Sequence, residues 1–124
     1  MLGAWLIHEH KVLASANLAV TRRERRRGMK AFPDASVPLI IPNCKWVHSF
    51  GMRFPVDVAY LDITDTIITI RTLRPNRIAR PVIQASRVVE TKPNAFRHWN
   101  VGPGDVLCIR DAEFPPAPES TTPG

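Results

Sequence analysis

The chain has 124 residues, 44% of them apolar and 23% charged, with a formal net charge of +6 and a pI of about 10.2. Those values fit one globular domain with its own core, and no apolar run approaches the roughly 20 residues of a membrane-spanning helix. The first residues, MLGAWLIHEHK, have neither the basic start nor the apolar length of a secretory signal, so the expectation is a cytoplasmic protein with no membrane partner.

Ala4–His8 and Val12–Val20 alternate apolar and polar residues around His8-Glu9-His10-Lys11, the pattern of a β-hairpin with its charges near the turn. His8 and His10 would share a strand face, but without a third ligand nearby they read as exposed turn residues. Thr21 followed three residues later by Glu24 is a capping box, and Gly28 suits a helix stop. This predicts a short helix in which five of the six residues Arg22–Arg27 are arginine. A solvated surface helix with Arg25 turned inward is preferred over a phosphate-binding face, and nucleic acid is not the expected partner.

Met29–Ser36 reads as a loop. Val37–Ile41, bracketed by Pro38 and Pro42, reads as a short strand that sits at an edge or ends early; a guarded edge would disfavour strand-paired dimers and points to a monomer. Val56–Ile63 is the most strand-like stretch. Val56, Val58 and Tyr60 share one face and Asp57, Ala59 and Leu61 the other, both mostly apolar, as in a central strand buried on both sides. Thr66–Leu73 returns as its antiparallel partner with Ile68 and Ile70 inward. Arg74–Pro81 is a loop, Gln84–Thr91 a β-branched strand, Ala95–Asn100 one helical turn, and Val106–Arg110 a final strand. Residues 113–124 form a proline-rich tail expected to be disordered, leaving 1–112 as one domain. About eight short strands with Gly/Pro corners predict a mainly β domain, an antiparallel β-sandwich or partly closed barrel, the sandwich being preferred, with one short Arg-rich helix.

The chemistry concentrates in Cys44–Asp62. A carboxylate on a buried strand is costly unless partnered, so Asp57 is expected to find Arg53, an arginine of the 74–80 loop, or backbone N–H groups at the Gly51-Met52 corner. Glu90 ends a strand as Asp57 begins one, and in an antiparallel sheet such ends can meet. Trp99 reads as a lid on the sandwich, or as a pocket wall. The candidate binding residues are His48, Met52, Arg53, Asp57, Arg74, Arg77, Glu90 and Trp99. Cys44 and Cys108 read as reduced packing residues, and without a CxxC pair no metal or cofactor is expected. The leading functional reading is a non-enzymatic domain that binds a small polar or anionic ligand or a protein partner. The alternatives are a hydrolase or isomerase using His48 with Asp57 or Glu90, and phosphate or nucleic-acid binding through the arginine helix.

At these residues the chain resembles the family of small proteins called domain of unknown function 192. The resemblance is carried by the Thr21-to-Gly28 segment, the string VHSFGMRFPVDV at 47–58 with its continuation to Leu61-Asp62, Val88-Val89-Glu90, Arg97-His98-Trp99 and Gly102-Pro103-Gly104-Asp105. It implies a jelly-roll-like β-sandwich and no established activity, cofactor or catalytic residue. This chain has Gly28-Met29-Lys30-Ala31 where the family has Gly-Leu followed by Leu or Met. It has Asn94 and Asn100 where the family has glycine, and asparagine tolerates the left-handed backbone such turns require. It has His48 where the family has Trp, so the resemblance implies no shared catalytic role for this histidine.

Overall fold

A computed structural model describes residues 1–111; the 113–124 tail lies outside the described residues. Seven strands form one sheet in the order β5-β4-β6-β3-β2-β1-β7. They are β1 (Leu2–His8), β2 (Lys11–Leu18), β3 (Leu39–Pro42), β4 (Val56–Leu61), β5 (Ile67–Leu73), β6 (Arg87–Thr91) and β7 (Cys108–Asp111). Two short helices accompany them, α1 (Arg22–Arg27), which runs into a 3-10 turn at Gly28–Ala31, and α2 (Ala95–His98).

The mainly β character holds, but the sandwich does not: there is one open sheet, not two stacked ones. Pairing is also not wholly antiparallel, because β2 and β3 run parallel. The two edge strands approach each other at one end. Thr66 bridges Val106, the Ile67 N–H donates to Asp105 O at 2.8 Å, and the Leu107 N–H donates to Asp65 O at 2.9 Å. The sheet thus curls around a cluster drawn from both its edges and its centre, including Leu6, Ala16, Ile40, Ala59, Ile67, Val89 and Leu107. The opposite face carries a second cluster, including Ile41, Val58, Tyr60 and Val88, roofed by Met29, Val47, Met52 and Val82 from the helix and the connecting loops. The sheet is thus covered on both faces, which is why its central strands are apolar on both sides.

Every residue of β4 is buried, as its two-sided apolar pattern requires. The strand expected at Val37–Ile41 is not at an edge but central, with β3 between β2 and β6, and it ends early, at Pro42. Proline is tolerated because Pro38 precedes the strand, offering its carbonyl to the Asn17 N–H at 2.9 Å, and Pro42 is the last residue. The argument for a monomer from a proline-guarded edge therefore falls away. Ile68 and Ile70 do not share a face: the ladder skips from Tyr60–Thr69 to Leu61–Ile67. That bulge at Ile68 sends it to the roofed cluster and Ile70 to the curled one. Asn94 and Asn100 both adopt positive φ, 70° and 58°.

The capping box forms as read. The Glu24 N–H donates to Thr21 Oγ1 at 3.1 Å, and Glu24 Oε1 accepts the Thr21 N–H at 3.0 Å. Arg25 is the half-buried arginine of α1, its Nη1 donating to Val20 O at 3.0 Å. Thr21→Ala is expected to cost about 1 kcal/mol. The checks are a lower melting temperature and faster amide exchange across residues 22–27 with the sheet amides unchanged.

Candidate functional site

Register decides which candidate residues can meet. In the β4–β6 ladder Asp57 lies opposite Thr91, and Val58 opposite Glu90. Cross-strand partners share a face and successive residues alternate. Asp57 and Glu90 therefore occupy opposite faces of the sheet. The sequence-predicted group splits accordingly.

On the curled face, Asp57 is 7% exposed. Its partners are neither Arg53 nor the 74–80 arginines. Oδ1 accepts the Thr72 hydroxyl at 2.7 Å and Oδ2 the Asn94 N–H at 2.8 Å. The carboxylate ties β4 to β5 and to the turn before α2, an architectural role. Trp99 lies on this side too, edge-on to Phe96 with ring centres 5.5 Å apart. Met52 is in the roofed core, while Arg53, Arg74 and Arg77 are exposed. A His48–Asp57 acid–base pair is ruled out by this placement.

On the roofed face, Glu90 and His48 line one cleft of about 280 Å³, between α1 and the 41–48 segment. Four arginines of α1 (Arg22, Arg25, Arg26 and Arg27) share it with Ile41, Cys44, Trp46 and Val47. Among the described residues Arg22, Arg26 and Arg27 make no side-chain hydrogen bond or ion pair. Glu90 is 2% exposed. Its Oε1 accepts the Met29 N–H at 3.1 Å, and its Oε2 has no hydrogen-bond partner among the described residues. Burial pushes this carboxyl up to about 7, only partly offset by the Met29 N–H. Arg25, Cys44 and Tyr60 are the other ionisable groups around it.

Gly28 is what brings the backbone over Glu90. Its φ is +57°, and a Cβ there would sit 3.5 Å from Glu90 Oε1. The space would admit a methyl group; the backbone conformation is what favours glycine. Cys44 donates its thiol to Trp46 O at 3.1 Å and burial pushes it up, so it is a protonated packing residue and not a nucleophile. Cys108, expected to be packed, is exposed on β7; both cysteines are free.

The rim beside the cleft was the feature least visible in the sequence. Val47 and Ser49 point inward, buried, while Trp46, His48 and Phe50 point outward. Their rings form a ladder, Trp46 to His48 at 6.0 Å and His48 to Phe50 at 5.2 Å with the latter pair stacked. Ser49 locks the corner, accepting the Arg77 N–H at 2.9 Å on Oγ while its hydroxyl donates to Arg74 O. The alternation W-V-H-S-F was the available signal. His8 and His10 sit at a hairpin turn far along the sheet, and among the described residues no cluster of three potential ligands could hold a metal ion.

The family model for domain of unknown function 192, described as "Uncharacterized ACR", matches residues 6–109. The chain belongs to this family. No curated protein matches it. Two solved structures do. A protein of unknown function from Novosphingobium aromaticivorans DSM 12444 is similar at 14% identity and TM-score 0.66, over 86% of this chain and 83% of that one. A proposed transcription regulator from Sinorhizobium meliloti 1021 is similar at 19% identity and TM-score 0.66, over 91% of this chain and 95% of that one. At such identities the likeness concerns the fold.

Two outcomes follow from the split. Asp57→Ala strands the Asn94 N–H and the Thr72 hydroxyl, and is expected to cost about 2 kcal/mol, read as a drop in melting temperature with cleft binding retained. Glu90 acts with the opposite sign to a paired carboxylate. Its folded value, about 7, lies above the ordinary 4.5. The neutral form is favoured, so its contribution is full below about pH 4.5 and is lost as pH rises through about 7, on the order of 3 kcal/mol. Glu90→Gln is expected to flatten the fall in melting temperature between about pH 5 and about pH 8.

Proposed function

We propose that this member of the family is a non-enzymatic binding domain that takes a small anionic ligand in the cleft beneath α1. The observation that supports the reading is the convergence of Arg22, Arg26 and Arg27, without protein partners among the described residues, on a half-apolar cleft with a buried carboxyl at its floor. Guanidinium groups at an apolar-walled concavity suit carboxylate or phosphate oxygens, which they can engage in pairs. Glu90 in its neutral form adds a potential O–H donor and no repulsion.

The acid–base alternative has less to rest on. Of its three residues only His48 and Glu90 share the cleft, with no hydrogen bond between them, and neither Cys44 nor Ser49 is placed as an activated nucleophile. A free, exposed Cys108 suits a reducing compartment, in keeping with the expected cytoplasmic setting. Among the described residues no helix is long and apolar enough to cross a membrane.

Titration calorimetry with pyrophosphate and citrate tests the reading. The expected result is binding that weakens with salt, and that falls at least about tenfold in the triple variant Arg22→Ala, Arg26→Ala, Arg27→Ala, whose melting temperature should stay within about 2 °C of the wild type because all three side chains are exposed. Affinity should also drop as pH rises through about 7, where Glu90 ionises, and Glu90→Gln should remove that dependence. No binding of either anion at low salt would sink the proposal.

A further inference from the structure

The ring ladder is not needed to hold a small inorganic anion. Trp46 and Phe50 are 45% and 50% exposed, a large aromatic area to leave in water. They are nonetheless held in place. The Val47 carbonyl accepts the Ala79 N–H at 3.0 Å, the Ser49 N–H donates to Arg77 O at 2.8 Å, and the Phe50 N–H donates to His48 Nδ1 at 3.3 Å. His48 pairs across to Ile78 as an isolated bridge. A rigid strand-like segment thus presents three rings outward while its alternate residues anchor it in the core.

Cations border this ladder. The arginines of α1 share the cleft with Trp46 and His48. Lys30, in the turn after α1, runs beside Gly51, where an added Cβ would lie 3.2 Å from its Cδ and 3.5 Å from its Nζ. An apolar peptide would gain nothing from these cations. A ligand with flat π faces and negative charge would use both parts of the surface.

We propose, building on the anion-cleft reading, that the occupant is a nucleotide, free or as a unit of a single strand, with its phosphate on Arg22, Arg26 and Arg27 and its base stacked on the Trp46–His48–Phe50 ladder. Stacking on aromatic side chains is tolerant of base identity, because every base has a π face, and arginine-lined grooves hold the backbone. The cleft volume of about 280 Å³ lies at the low end for small-molecule sites. It accommodates the phosphate end while the base lies along the exposed rings.

The test compares AMP, ribose 5-phosphate and an oligo-dT of about eight nucleotides, a length within the range of single-strand sites, by calorimetry at low salt. NMR on the wild type follows the Trp46 indole N–H and the Phe50 ring. AMP is expected to bind at least about 5-fold tighter than ribose 5-phosphate, and only AMP and the oligonucleotide should shift the Trp46 and Phe50 resonances. W46A and F50A should each shrink the AMP advantage, and F50A, whose ring lies outside the cleft lining, should leave ribose 5-phosphate affinity unchanged. The NMR readout stands independently if either variant folds poorly. Oligo-dT binding far tighter than AMP, with a steeper salt dependence, would make a single strand the source; equal affinity would make it the free nucleotide. AMP and ribose 5-phosphate binding equally, with the ring resonances still, would overturn the nucleotide assignment and leave the anion cleft standing. If neither these phosphates nor pyrophosphate bind, both readings fall together.

Discussion

The pairing of β4 with β6 at the centre of the sheet is the constraint on which the rest depends. It buries both strands on both faces, and its register assigns every polar side chain they carry to one side or the other. Two carboxylates that look interchangeable in the sequence acquire different fates from it. Asp57 receives two donors and serves as a tie. Glu90 receives one and is left beneath a cleft. The cost of burying charge is met by hydrogen bonds in the first case and by retention of a proton in the second.

The cleft itself is assembled from the layer covering that centre. α1 is too short and too charged to be stable by itself, and among its residues none is fully buried. Its position comes from the capping box at one end and from Gly28 and Met29 at the other, where the chain dives into the roofed cluster and hands the Met29 N–H to Glu90. The helix is therefore held by its ends and by Arg25, with Arg22, Arg26 and Arg27 free along its length. The facing wall is held by a different device, the Ser49 hydroxyl and backbone knitting the 47–51 corner to the 74–79 loop. A fixed cationic wall and a fixed aromatic wall require little reorganisation to receive a ligand.

Local signals were read well from the sequence and distant ones less so. The capping box, the inward Arg25, the two-faced β4 strand, the short helix at 95–98 and the left-handed asparagines all depend on a few neighbouring residues. The topology did not follow, because the strand order and the parallel pairing of β2 with β3 depend on segments far apart in sequence and leave no local signal. The prolines around β3 allow an edge or an early end, and nothing local shows that Pro38 precedes the ladder while Pro42 closes it. At the site, His48 and Glu90 were identified individually, yet their separation from Asp57 and Trp99 depends on the register between strands more than 25 residues apart in sequence. The arginine helix was legible; the outward rings at Trp46, His48 and Phe50, and the cleft that Trp46 and His48 share with the helix, were not.

β1 is flanked by β2 on one side and by β7 on the other. The second pairing joins Ala4–Ile7 to Cys108–Asp111 across nearly the whole described chain. During synthesis the amino-terminal hairpin can form early, but its outer edge has no partner until the last strand leaves the ribosome. Until then LGAWLIH presents unpaired backbone beside apolar side chains. The β1 edge is therefore covered only once β7 is available, and the same short stretch is where premature self-association would begin.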